Sequence, residues 1–87
     1  MKIINGIDLD KEIREGWTIQ DFINEIDDLV FDVFIGNSIH RIPKTKDELS
    51  ELIKNLIPKQ MFTSQKQINN VVKDLTKIYI TKYDVEE

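Results

Sequence analysis

TIQDFINEIDDLVFDVF, residues 18–34, is the stretch whose reading decides the fold. Ile19, Phe22, Ile23, Ile26, Val30, Val33 and Phe34 recur at the i, i+3, i+4, i+7 spacing of one helix face, and Leu29 widens the stripe. Thr18-x-x-Asp21 has the form of a capping box, in which hydroxyl and carboxylate satisfy free backbone N–H groups reciprocally. Trp17 and Phe22 stand at hydrophobic-staple positions around the cap. From Leu29 to Ile35 the apolar residues also alternate as a strand would. The helix reading is preferred because the 3.6-residue pattern continues unbroken. The opposite face carries Asp21, Glu25, Asp28 and Asp32 and no base.

Working outward, Thr45-x-x-Glu48 and Ser64-x-x-Gln67 repeat the capping pattern. Leu49, Leu52, Ile53, Leu56 and Ile57 follow the first, and Pro58 ends that helix. Ile68, Val71, Val72, Leu75, Ile78 and Tyr79 follow the second, and the tail YDVEE is expected to fray. Before the central stretch, Ile3, Ile4 and Ile7 suggest a short strand or arm. Asp8 or Asp10 as cap and Gly16 as terminator suggest a short helix. The expectation is a mainly α domain, a three- to four-helix bundle with helices near 9–15, 18–34, 46–57 and 65–80 and a short N-terminal strand.

A length of 87 residues allows one core and leaves no room beside it for a deep, enclosed active site. The absence of cysteine excludes disulfides, thiolate metal sites and cysteine nucleophiles. No apolar run approaches the ~18 residues of a membrane span, and MKIINGIDLD turns acidic where a signal peptide would be apolar. A cytoplasmic protein with no membrane partner is expected. His40, the single histidine, reads as a proton carrier or metal ligand or as a surface or half-buried loop histidine, and the second is preferred because zinc and catalytic sites need convergent ligands. Asp8, Asp10 and Glu12 have the spacing that opens a calcium loop. Ile13 stands where that loop needs glycine, and Ile19 where it needs a bidentate glutamate. Asp27 and Asp28 are adjacent on a helix, about 100° apart, and do not converge on one substrate. The expectation is a non-enzyme with no metal, no cofactor and no catalytic residue.

Charge carries more information. Residues 1–34 hold nine acids against three bases, whereas residues 39–82 hold nine bases against four acids. The net charge of −4 therefore hides a dipolar chain. Like charges three or four residues apart, as in Asp21, Glu25, Asp28 and Asp32, each cost a helix roughly 0.2–0.5 kcal/mol. A solvated face, an internal match and an external basic partner all account for that row. Lys66, Lys73 and Lys77 make an opposite stripe on the last helix, with Arg41 and Lys44 in the preceding loop. That set reads as a solvated face or as a phosphate-contacting patch. The helix–PKQMF–helix arrangement is longer than the usual helix-turn-helix link.

Gly36-Asn37-Ser38, followed by Thr45-Lys46-Asp47-Glu48-Leu49 and by the aromatic Tyr79, resembles small accessory proteins of phages and mobile elements, of the anti-CRISPR kind. The resemblance covers roughly the C-terminal half. It implies a compact protein that binds and blocks, or regulates, a host or defence component, as many acidic members do by occupying a nucleic-acid-binding surface, and it assigns no individual residue. The expected function is a protein-binding module docking Asp21, Glu25, Asp28 and Asp32 on a basic surface of a larger protein. The alternative is a small DNA-binding regulator using Arg41, Lys44, Lys66, Lys73 and Lys77. Acidic and basic faces also make a homodimer compatible with either.

Overall fold

The computed structural model describes residues 2–36, 41–58, 60, 62 and 64–86. Two short antiparallel strand pairs precede three helices. The first pair is β1 (Ile3–Ile4) and β2 (Ile7–Asp8), in the register Ile3 to Asp8 and Ile4 to Ile7. Its turn is Asn5-Gly6, with φ of 51° and 80°. Two successive positive φ values match the right-handed twist of a hairpin, and Asn-Gly is the pair that adopts them most readily. The second pair is β3 (Glu12–Arg14) and β4 (Trp17–Thr18), turning at Glu15 and Gly16, with a bulge between Glu12 and Arg14.

The helix expected over residues 9–15 is therefore a turn and a strand. Asp8 does not cap a helix. Its carboxylate instead accepts from the backbone N–H of Asp10 at 2.9 Å, closing a local turn. Backbone groups of this segment bond outward rather than along a helix. The Leu9 N–H donates to the Lys2 carbonyl at 2.8 Å, and the Leu9 and Lys11 carbonyls accept from Gln20 and Ile19 at 2.9 Å each. Leu9 itself is buried in the core. The N-terminal strand expected from Ile3, Ile4 and Ile7 is present as both strands of the first pair.

Helix α1 runs Ile19–Phe34, so the 29–35 stretch is helical almost to its end rather than a strand. Both halves of the Thr18–Asp21 capping box are made, and the Trp17 and Phe22 rings meet at 5.2 Å. Gly36, at φ +83°, takes the left-handed conformation just past the helix end. Helix α2 runs Lys46–Leu56 and is capped by Thr45. The Glu48 carboxylate reaches one residue further back than in a standard capping box, to the Lys44 N–H at 3.0 Å. Helix α3 runs Gln65–Tyr83, three residues past its expected end, and closes on Asp84 at φ 54°. The tail does not simply fray: Val85 is buried, and Glu86 bridges to Thr45.

Helix α3 is the central element. Val71, Leu75, Ile78 and Tyr79 are almost wholly buried, against Ile19, Phe22, Ile26, Val30 and Val33 of α1 and Leu49 and Ile53 of α2 within one cluster. Thr76 gives its one hydroxyl proton to the Val72 carbonyl at 2.7 Å, so Ser50 of α2 must be the donor in the Ser50–Thr76 contact at 3.1 Å. The structure is mainly α. The expected bundle describes only part of it, because two strand pairs, not a fourth helix, close the side of α1 and α3. Phe62 is half-buried and stacks on Phe22 at 5.3 Å. Met61, His40 and the Asn37-Ser38 dipeptide lie outside the described residues.

Candidate functional site

The outer face of α1 is set by the angle at which its core stripe docks. With Ile19, Phe22, Ile26, Val30 and Val33 turned inward, Glu25, Asp28 and Asp32 are left exposed. Asp21 is half-buried, and its carboxylate accepts from the Thr18 N–H at 2.8 Å and the Thr18 hydroxyl at 3.2 Å. It serves the helix end, so the expected row of four acids becomes one cap and three acids without a partner among the described residues. Leu29 does not widen the core stripe. It is 47% exposed, and Phe31 and Ile35 are 51% and 48% exposed. At about 100° per residue, Leu29 flanks the acids on one side and Phe31 and Ile35 flank them on the other. The outer face is thus an acidic strip bordered by exposed apolar side chains.

The inner flank of the same helix behaves differently. Asp27 Oδ1 accepts from the Tyr79 hydroxyl at 3.0 Å and from Lys82 Nζ at 2.9 Å, both on α3. Burial, and then the Asp27 carboxylate beside it, hold the Tyr79 hydroxyl well above the usual tyrosine range. Tyr79 is therefore a fixed hydrogen-bond donor, not a base. Phe34 stacks on Tyr83 at 4.1 Å to complete the α1–α3 seam. The sequence reading gave Asp27 no role. The signal available was its angle: it projects beside Ile23 and Phe34, and a carboxylate on that flank needs a partner.

Asp27, Tyr79 and Lys82 form one wall of a cleft of about 510 Å³, roofed by Lys2, Ile3 and Ile4 of the first strand pair. Ile23, Gln20 and Asn24 of α1 and Ile78 of α3 complete the lining together with Leu9.

The five basic residues are not gathered into one patch. Lys66 and Lys73 are exposed on α3, and Lys77 is half-buried, with its carbonyl accepting from the Asn5 side chain at 3.0 Å. Arg41 instead lines a separate shallow depression with Glu48, Glu51 and Asn55 of α2. That side of α2 is turned well away from Ser50, the residue that meets α3. Lys44 is exposed at the head of α2. Asp74, almost buried beside the lysine stripe, is paired with Lys11 at 3.1 Å.

Acidic and basic faces point apart. On α1 the three acids are rotated by about 100–160° from Asp27, which faces α3; on α3 the lysine stripe is rotated by about 120–160° from Tyr79, which faces α1. Among the described residues no group of three or more acids and histidines could hold a metal ion, and no helix is long and apolar enough to cross a membrane. Comparison with known proteins gives no match: no family model, no curated protein and no solved structure matches the chain.

Proposed function

We propose that this protein is a non-enzymatic binding module that docks the outer face of α1 on a basic surface of a larger protein, in the manner of the phage and mobile-element inhibitors its C-terminal half resembles. The observation that carries this reading is the setting of Glu25, Asp28 and Asp32 among Leu29, Phe31 and Ile35, each about half exposed. Three of the five large apolar side chains exposed among the described residues fall on this one helix face, beside its acids. In an interface the two kinds of residue divide the work. Apolar area released from water supplies affinity, and the carboxylates supply orientation and encounter rate. The DNA-binding alternative needs Arg41 and Lys44 to join Lys66, Lys73 and Lys77, and their placement on different sides of α2 and α3 weighs against it.

Two measurements test the reading together. The first is affinity capture from host extract, with the captured proteins identified by mass spectrometry. Wild type should retain a partner that both Asp28→Lys/Asp32→Lys and Leu29→Ala/Phe31→Ala lose. Retention of that partner by the two double variants would end the proposal. The second is fluorescence anisotropy with a labelled random-sequence duplex at about 50 mM and about 200 mM salt. Tight binding at low salt, abolished by Lys66→Gln/Lys73→Gln, would move the function to the basic face.

A further inference from the structure

The cleft between the first strand pair, α1 and α3 is separate from the outer face of α1, and it has the composition of a ligand site. Its volume of about 510 Å³ falls within the range of small-molecule pockets. Ile4, Ile23 and Ile78 give it an apolar surface. Three charged residues line it: Lys2, Lys82 and Asp27. Asp27 is already answered, since one of its oxygens receives both the Tyr79 hydroxyl and Lys82. Among the described residues Lys82 gives one of its three N–H groups to that contact and keeps two. Among the described residues Lys2 has no acid within ion-pair distance. Gln20 donates its side-chain amide to the Asn24 carbonyl oxygen at 3.0 Å, which leaves the Asn24 amide free to donate into the same space. The cleft thus offers surplus positive charge and free donors above apolar walls.

We infer that this cleft binds a small amphipathic monocarboxylate, with the carboxylate held between Lys2 and Lys82 and the hydrocarbon body against Ile4, Ile23 and Ile78. Charge-assisted hydrogen bonds from two ammonium groups select an anion over its neutral analogue, and the isoleucines select an apolar body over a compact, hydrated one.

Octanoate is the probe, with octanol as its neutral counterpart and acetate as its truncated one. Amide chemical shifts of the full-length protein are followed by heteronuclear NMR at neutral pH during titration. The expected result is a saturable change confined to residues 2–9, 20–27 and 78–82, with octanol and acetate each weaker by about tenfold or more, the loss set by one charge-assisted contact or by the apolar body. Lys82→Gln and Lys2→Gln should each weaken octanoate about five- to tenfold. Lys2 takes no part in the Asp27 network, so Lys2→Gln decides the matter if Lys82→Gln fails to fold. Shift changes scattered over the surface, octanol binding as tightly as octanoate, or wild-type affinity in Lys2→Gln would each overturn the assignment. Loss of protein capture in the outer-face variants leaves this result untouched, so the two readings fail separately.

Discussion

Asp27 and Asp28 are neighbours in the chain and opposites in the molecule. Asp27 is turned toward α3, where it receives a buried hydroxyl and an ammonium group. Asp28 is turned outward, exposed beside Leu29 and Asp32. The same side chain is a structural anchor at one helical angle and a surface charge at the next. A carboxylate's role on α1 follows from its rotation about the axis and not from its place in an acidic run.

The largest effect expected along this comparison comes from removing the aromatic group that answers Asp27. Tyr79→Ala should cost about 3–5 kcal/mol, because it empties a fully buried site; Asp27 keeps only its contact with Lys82. In a domain this small that is a large part of the total stability, and chemical denaturation should show the variant largely unfolded. Asp27→Ala leaves the Tyr79 hydroxyl without its acceptor and should cost about 1–3 kcal/mol by the same measurement. Asp28→Ala should change stability by no more than about 0.5 kcal/mol. Equal costs for the two alanine variants would break the contrast.

pH sharpens it. The Tyr79 hydroxyl is held above its ordinary value in the folded state, so folding favours its protonated form. Its stabilisation is fully present below the unfolded tyrosine value near pH 10 and is lost above it, by up to about 1.4 kcal/mol per pH unit. Denaturation midpoints should be flat from neutral pH to about pH 10 and then fall, with a shallower fall in Tyr79→Phe. An equally steep fall in that variant would show that other groups govern the alkaline limit. The smallest stability change is expected for Asp32→Lys, which relieves repulsion with Asp28 at i, i+4 and should raise stability by roughly 0.2–0.5 kcal/mol. In the same variant partner capture should drop, so stability and binding move in opposite directions.

The three long helices were legible because each announces itself locally, by a cap followed by a periodic stripe. The hairpins were obscured by a competing local reading. Asn5-Gly6 is a strong turn signal, but strands of two or three residues are too short to show alternation, and Asp8, Asp10 and Gly16 imitate helix boundaries. Within the site, the exposure of Glu25, Asp28 and Asp32 could be read from periodicity. Leu29 could not, because a residue at the edge of a wide stripe is buried or exposed according to what packs beside it. The pairing of Asp27 with Tyr79 and Lys82 spans more than 50 positions of sequence, and no local pattern encodes it.

The divergent orientation of the acidic strip and the lysine stripe has a consequence for self-association. A two-fold pair requires each copy to present both halves of the contact to its partner at once. Here the acidic strip lies on the side of α1 turned from α3, and the lysine stripe on the side of α3 turned from α1. If copies join acid to base, the contact is head-to-tail and leaves a charged end at each terminus of the assembly. Such a contact grows into a ring or an open chain with concentration and dissolves with added salt.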